Sequence, residues 1–297
     1  MRLNFNWQIL SAVAITGTLL FSACSQDDQA KPNDNQSIEE RGLFTGVPVS
    51  TALIGLTDSN QLVSLMSGPP IVDMGLTPIT GLRVDEYMRA IDTRPRTNEL
   101  FGVSNQNTIY KIDKTTGLAT PVGLNPLTPA VEGEHVGFDF SPVDDVIRLV
   151  TSSGQNMRIS PVTGAVIAVD APIASLSVAF NSSAYSTTVP GRPSALYNID
   201  PATGALFRQT NPNGGQVALV GLTGFNFIGE GAFEITNTNS SFAVQFGKSR
   251  FQVGGGGILG TQDETTQDAY RLLLINLRSG VATSHGKVRP MIGLATR

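Results

Sequence analysis

TIYKIDKTTGLATPVG, residues 108–123, is the stretch on which the reading of the fold turns. Apolar Ile109, Tyr110 and Ile112 are interleaved with polar Thr108 and Lys111, the pattern stops at Asp113-Lys114-Thr115-Thr116-Gly117, and it resumes at Leu118. Alternation of period two marks a strand with two different faces. In the break, Asp113 is placed to hydrogen-bond its own backbone two residues on. Gly117 supplies the positive-φ position that turns the chain back into a hairpin. The phrase recurs as SALYNIDPATGAL (194–206), NMRISPVTGAV (156–166) and LLINLRSGVAT (273–283). Asp200 or Ser160 stands in the place of Asp113, and Gly204, Gly164 or Gly280 in that of Gly117.

Outward from each hairpin lie two more apolar segments. Residues 89–95 precede Glu99-Leu100-Phe101-Gly102-Val103, and residues 136–142 precede Val146-Ile147-Arg148-Leu149-Val150. Ser177-Val178-Ala179-Phe180-Asn181 and Gly231-Ala232-Phe233-Glu234-Ile235 fill the same first-strand slot in later copies. Each unit thus holds about four short strands and returns every ~40–50 residues, the period of propeller blades. The two chain ends supply one further unit between them. Residues 51–75 read as a unit lacking its first strand, and Met291-Ile292-Gly293-Leu294-Ala295-Thr296 resembles the missing piece. Residues 50–297 are therefore expected to form an all-β propeller of about five four-stranded blades, the last closed by N- and C-terminal strands, with no exposed sheet edge at the junction. A β-sandwich with similar hairpins is the rival, and it leaves the period unexplained.

The composition agrees. Charged residues make up 15% of the 297 and glycine numbers 31, which favours turns and strands over charged helices. A net charge of -4 without a Lys/Arg cluster gives no footprint for nucleic acid. The single cysteine, Cys24, excludes an internal disulfide.

Cys24 closes a leader. Arg2 gives a positive start, residues 9–21 are mostly apolar, and Phe21-Ser22-Ala23-Cys24 follows. The apolar run has the length of a signal-peptide core rather than of a membrane span. The last four residues resemble a lipobox, with Phe21 where Leu is commoner. The resemblance implies cleavage of residues 1–23 and acylation of Cys24. Ser25, in place of an Asp that favours inner-membrane retention, implies the outer membrane of a Gram-negative host, periplasmic or surface-exposed. An ordinary signal peptide, leaving a secreted soluble protein, is the alternative. Residues 24–49 are polar and aperiodic and read as a tether.

GFDFSPVDDVIRLVTSSGQNMRISPVTGA, residues 137–165, resembles the signature of the family known as domain of unknown function 4394. Ala184-Tyr185-Ser186, Gln209-Thr210-Asn211-Pro212-Asn213-Gly214-Gly215 and the Leu-Tyr-x-Ile-Asp hairpins are similar to its other recurring pieces. The resemblance covers nearly all of residues 52–295. It implies a bacterial, exported, propeller-like protein and no particular activity. Glu234 and Gly254-Gly255-Gly256-Gly257 depart from the family's plainer pattern.

Three constellations carry possible chemistry. The polar position of the first strand in each unit is Asp92, Asp139, Asn181, Glu234 and, in the composite unit, Ala295. First strands lie innermost in a propeller, so Asp92, Asp139 and Glu234 would ring a central channel, with oxygen ligands suited to a hard cation such as Ca²⁺. Alternatively these acids satisfy backbone or arginine donors between blades. Arg148, Gln155, Asn156 and Arg158 have the fork and amide donors for a carboxylate or sugar hydroxyls; alternatively the arginines pair with Asp144 and Asp145. His135 and His285, the two histidines, lack a nucleophile elbow or metal-ligand spacing. Gly254 to Gly257 lack the Lys-Ser/Thr ending of a phosphate loop and read as an insertion. The sequence leaves three functions open: a membrane-tethered binding module for a protein or carbohydrate ligand, a hydrolase or lyase using the channel carboxylates with or without a metal, and a structural envelope protein.

Overall fold

A computed structural model describes residues 50–173, 178–187, 193–236, 241–248 and 269–297. The leader, Cys24, the tether and Gly254 to Gly257 lie outside the described residues. No helix among the described residues is long and apolar enough to cross a membrane.

The described residues form five four-stranded antiparallel sheets. The chain opens with β1 (Ala52–Leu56), β2 (Gln61–Met66) and β3 (Val72–Pro78). Blade I follows as β4 (Met88–Arg94), β5 (Glu99–Ser104), β6 (Ile109–Ile112) and β7 (Ala119–Pro121). Blade II is β8 (Val136–Phe140), β9 (Ile147–Thr151), β10 (Asn156–Ile159) and β11 (Val166–Val169). Blade III is β12 (Ser182–Tyr185), β13 (Leu196–Asp200), β14 (Ala205–Asn211) and β15 (Gln216–Leu222). Blade IV is β16 (Asn226–Ile235), β17 (Ser241–Lys248), β18 (Ala269–Ile275) and β19 (Ala282–Lys287). The last strand, β20 (Gly293–Thr296), pairs antiparallel with β1, Ile54 opposite Ala295, and completes a composite blade in the order β20-β1-β2-β3.

The five inner strands close a ring: β4 packs on β8, β8 on β12, β12 on β16, β16 on β20, and β20 on β4. The architecture is a five-bladed β-propeller, and the sandwich alternative is excluded by the ring. The apolar core is divided among the gaps between blades. Phe101 and Val103 of blade I pack with Phe138, Phe140 and Leu149 of blade II. Blades III and IV, blade IV and the composite blade, and the composite blade and blade I share three further clusters. The gap between blades II and III has a smaller buried apolar cluster, Val150, Phe180 and Leu196.

The recurring turns behave as their residue types dictate. Asp113 accepts from the N–H groups of Thr115 and Thr116, Ser160 from Val162 and Thr163, and Asp200 from Ala202. Asn276 does the same in blade IV, accepting from Arg278 and Ser279. The turn glycines also serve packing between blades. Gly164 has φ 67, and a Cβ there would stand 2.0 Å from the carbonyl oxygen of Val122, at the outer end of blade I. Only a residue without a side chain admits that approach.

One strand assignment is corrected. Residues 178–181 are not strand; the inner strand of blade III is β12. The apolar alternation of Val178 and Phe180 belongs to the approach, where Phe180 is buried against Phe207, with ring centroids 5.5 Å apart. The register places Ala184, opposite Tyr197, where Asp139 stands opposite Arg148.

Candidate functional site

Inner strands run from one face of the ring to the other and end near the same mouth. There the side chains of Asp92 on β4, Asp139 on β8 and Glu234 on β16 converge, one carboxylate oxygen of each within 4.8 Å of the others. Ala184 and Ala295 occupy the corresponding places on β12 and β20. The ring therefore carries three carboxyls and two methyls. Asn181 lies outside it, at the opposite mouth, where its Nδ2 donates to the carbonyl of Gly229 at 3.0 Å.

All three acids are buried. Asp92 accepts from the N–H of Thr93 at 2.6 Å and from that of Phe140, on the next blade, at 2.8 Å. Asp139 accepts from the N–H of Tyr185, again on the next blade, at 3.1 Å. Glu234 shares a hydrogen bond with Asp92 across the channel. Burial pushes the Asp92 carboxyl up to about 7, against the pull of its two backbone donors. Burial, then the charges of Asp92 and Glu234, raise Asp139; burial, then Asp92, raise Glu234. Like charges this close in a poorly solvated site do not all ionise, so the ring retains protons near neutrality.

The triad floors a bowl of about 330 Å³. Pro95, Pro142, Tyr185, Thr187 and Arg297 stand around it, together with Thr51 and Ala52 at the start of the described chain. Lys114 lies close enough to pull the Asp92 and Glu234 carboxyls down. Its Nζ donates to Asn98 at 3.0 Å. Below the acids the channel narrows to gaps of about 10 Å³ among Gly137, Gly231, Gly293 and their neighbours, room for about one water. A Cβ on Gly137 would stand 2.1 Å from the Ser183 hydroxyl, so these glycines let the inner strands close the passage. The bowl is a dead end with an acidic floor.

The second candidate group sits elsewhere, in the gap between blades II and III. Arg148 is buried and donates to Asp170 (2.6 Å), Asn156 (2.9 Å), Asn213 (2.6 Å) and the Tyr185 hydroxyl (3.3 Å). Arg158 grips the same Asp170 with two hydrogen bonds of 2.8 and 2.9 Å. Asn156 donates to the carbonyls of Ala171 and Pro212. Gln155 donates to the carbonyl of Ala130 and accepts from the N–H of Glu132. Asp170, rather than Asp144 or Asp145, is the carboxylate the arginines share; Asp145 pairs instead with Arg94 and Arg96 of blade I. The group joins blades where apolar contact is thinnest, and it touches the bowl through Tyr185.

His135 stands at the opposite mouth with Arg89 and Glu230, its Nδ1 buried without a hydrogen-bond partner among the described residues. His285 packs against Phe242, and burial lowers its pKa. The triad and the bridging arginines were legible as residue types. Tyr185, which links the two, and Asp170, which the arginines share, were not read as site residues: Tyr185 stood out only within the family-like Ala184-Tyr185-Ser186, and nothing in the sequence around Asp170 marks it.

A family model described as "Domain of unknown function (DUF4394)" matches residues 61–295. No curated protein matches. Among solved structures, a protein of unknown function from Bacteroides caccae is similar at 11% identity, covering 83% of this chain and 98% of its own, with a TM-score of 0.39. A second, from Bacteroides thetaiotaomicron VPI-5482, shows 10% identity over 80% of this chain and 58% of its own, with a TM-score of 0.44. The Neurospora crassa Pan2 WD40 domain shows 12% identity over 85% of this chain and 70% of its own, with a TM-score of 0.40. With the family model spanning the strands from β2 to β20, the chain belongs to the family of unknown function DUF4394.

Proposed function

We propose that this propeller is a binding module, tethered to the outer membrane through an acylated Cys24, that receives its ligand in the acid-floored bowl. The observation behind this reading is the bowl itself: about 330 Å³, closed below, with three buried carboxyls at its base. Propeller function concentrates on loops at the channel mouths. Proline faces and the Tyr185 ring around acid acceptors suit sugar rings and their hydroxyls as well as a protein side chain. The second reading is a hydrolase or lyase, favoured by the hydrogen-bonded Asp92–Glu234 pair, which has the proton-sharing form of an acid–base couple.

Pro95→Trp or Pro142→Trp, at the rim, places bulk over the bowl. Probed with an oligosaccharide array and with cross-linked envelope extract, the native chain is expected to retain a ligand that both variants lose. Equal retention by all three overturns the bowl as the binding mouth. Cys24→Ser is expected to leave the membrane fraction and lose palmitate labelling; a variant that stays membrane-bound overturns the anchor.

A further inference from the structure

Asp92 and Asp139 each have a structural use, since each accepts a backbone N–H from the next blade. Glu234 has no such use. It is 5% exposed, lines the bowl, and has Asp92 as its one hydrogen-bond partner among the described residues. Alanines fill the corresponding places on β12 and β20 at no electrostatic cost. A carboxyl buried beside two others, with no donor from outside the group, is held either by protons shared within the group or by a cation that displaces them.

We propose that Asp92, Asp139 and Glu234 hold a single divalent cation, Ca²⁺ by its tolerance of irregular all-oxygen sites, at the floor of the bowl. This deepens the reading of the bowl as a binding mouth and rests on it. The three oxygens lie within 4.8 Å of one another. Oxygens bound to one Ca²⁺ at about 2.3–2.6 Å stand no more than about 4.6–5.2 Å apart, so this spacing admits a central ion of that size. A central Ca²⁺ thus takes one oxygen from each acid with the inner strands where they are. The bowl has room for waters to fill the remaining positions. Each acid keeps its second oxygen, so Asp92 and Asp139 retain a backbone donor between blades while they ligate. Lys114, already within electrostatic reach of Asp92 and Glu234, offsets the charge left over. A ligand entering the bowl would then meet an ion with exchangeable waters, a suitable grip for carboxylate or vicinal hydroxyl groups.

The test uses the full chain stripped with EDTA and titrated with Ca²⁺ and Mg²⁺ at pH 8. Calorimetry is expected to show one Ca²⁺ site, and about 1 mM Ca²⁺ to raise the melting temperature by about 3 °C or more, Mg²⁺ by far less. Affinity is expected to fall about tenfold from pH 8 to pH 6, because the ion must displace protons. Glu234→Gln keeps the shape and removes the charge. It is expected to melt no lower than the native chain in EDTA and to lose the Ca²⁺ shift; Asp139→Asn is expected to weaken the shift. No heat and no shift at pH 8 overturns the proposal. So does a full shift in Glu234→Gln, which puts the ion elsewhere, or an equal response to Mg²⁺. A melting shift with N-acetyl-lysine amide instead of Ca²⁺ overturns it in favour of an ammonium guest. Loss of Ca²⁺ binding with ligand capture still sensitive to Pro95→Trp sinks this inference alone and leaves the bowl as a mouth.

Discussion

The Asp92 carboxylate accepts the backbone N–H of Phe140 at 2.8 Å and so ties the innermost strand of one blade to that of the next. Asp139 repeats the tie one blade on, to Tyr185 at 3.1 Å. Two such staples account for two of the three acids in the ring.

The third acid makes stability depend on pH. All three carboxyls sit above their ordinary range in the folded chain, whereas unfolded carboxyls titrate near 4. The folded triad therefore binds more protons than the same residues do unfolded. Its contribution to stability is fully present below about pH 4 and is lost as pH rises through the neutral range, whereas carboxyls held low by their partners, such as Asp145 and Asp170, contribute in the opposite sense in acid. In Asp139→Asn one charge is gone and the amide oxygen still accepts from Tyr185. Urea denaturation in EDTA is expected to show a decline from pH 5 to pH 8 shallower by on the order of 1–2 kcal/mol than in the native chain. Parallel declines would refute the coupling of Asp139 to its neighbours.

Arg148 is the hub of the gap between blades II and III, where it meets Asp170, Asn156, Asn213 and Tyr185. Arg148→Met leaves Asp170 with Arg158 alone and strands the amide oxygen of buried Asn156. The expected loss is about 3–5 kcal/mol. Lys111→Ala, which breaks a pair with both partners well exposed, is expected to cost less than about 1 kcal/mol. Chemical denaturation measures both, and equal costs would remove the bridging role of Arg148.

Gly164 and Gly224 separate two uses of glycine. Both have positive φ, 67 and 82, but a Cβ at Gly164 would strike Val122 whereas one at Gly224 meets nothing within 4 Å. Gly224→Ala is expected to cost about 1 kcal/mol, the backbone strain alone, and Gly164→Ala about 3 kcal/mol or more. Melting curves of the two variants decide it: similar shifts would mean the blade contact at Gly164 is slack.

Removing residues 292–297 takes away β20 and with it the inner strand of the composite blade. Buried Leu294 and Ala295 go, and β1 gains an unpaired edge facing the channel. The truncated chain is expected to lose its cooperative melting transition and to self-associate in size-exclusion chromatography. A monomer with native melting would show that closure is dispensable.

Most of the fold was readable because its signals are local. An aspartate, serine or asparagine four residues before a glycine makes the same turn in blades I to IV, and the unpaired beginnings at Ala52 and Gly293 complete each other. The inner strand of blade III escaped because Ser182-Ser183-Ala184-Tyr185 is neither apolar nor alternating in the expected way. Its buried Ser183 is satisfied instead by Asn198 on β13. The acid ring was readable as a recurring position, apart from the place given to Asn181. The arginine bridge was not, since Asp170 and Asn213 lie 22 and 65 residues beyond Arg148. Long-range polar pairing has no periodicity to betray it, and only the fold brings such partners together.

The composite blade also imposes an order on synthesis. β1 is among the first structured segments made, yet its inner partner is the last. Blades I to IV can pair internally as they emerge, each from contiguous chain, while the circle stays open until Gly293–Thr296 arrives. Until then the chain is an arc rather than a wheel. Closure of the ring therefore waits on a pairing between strands about 240 residues apart, the slowest kind of contact to form.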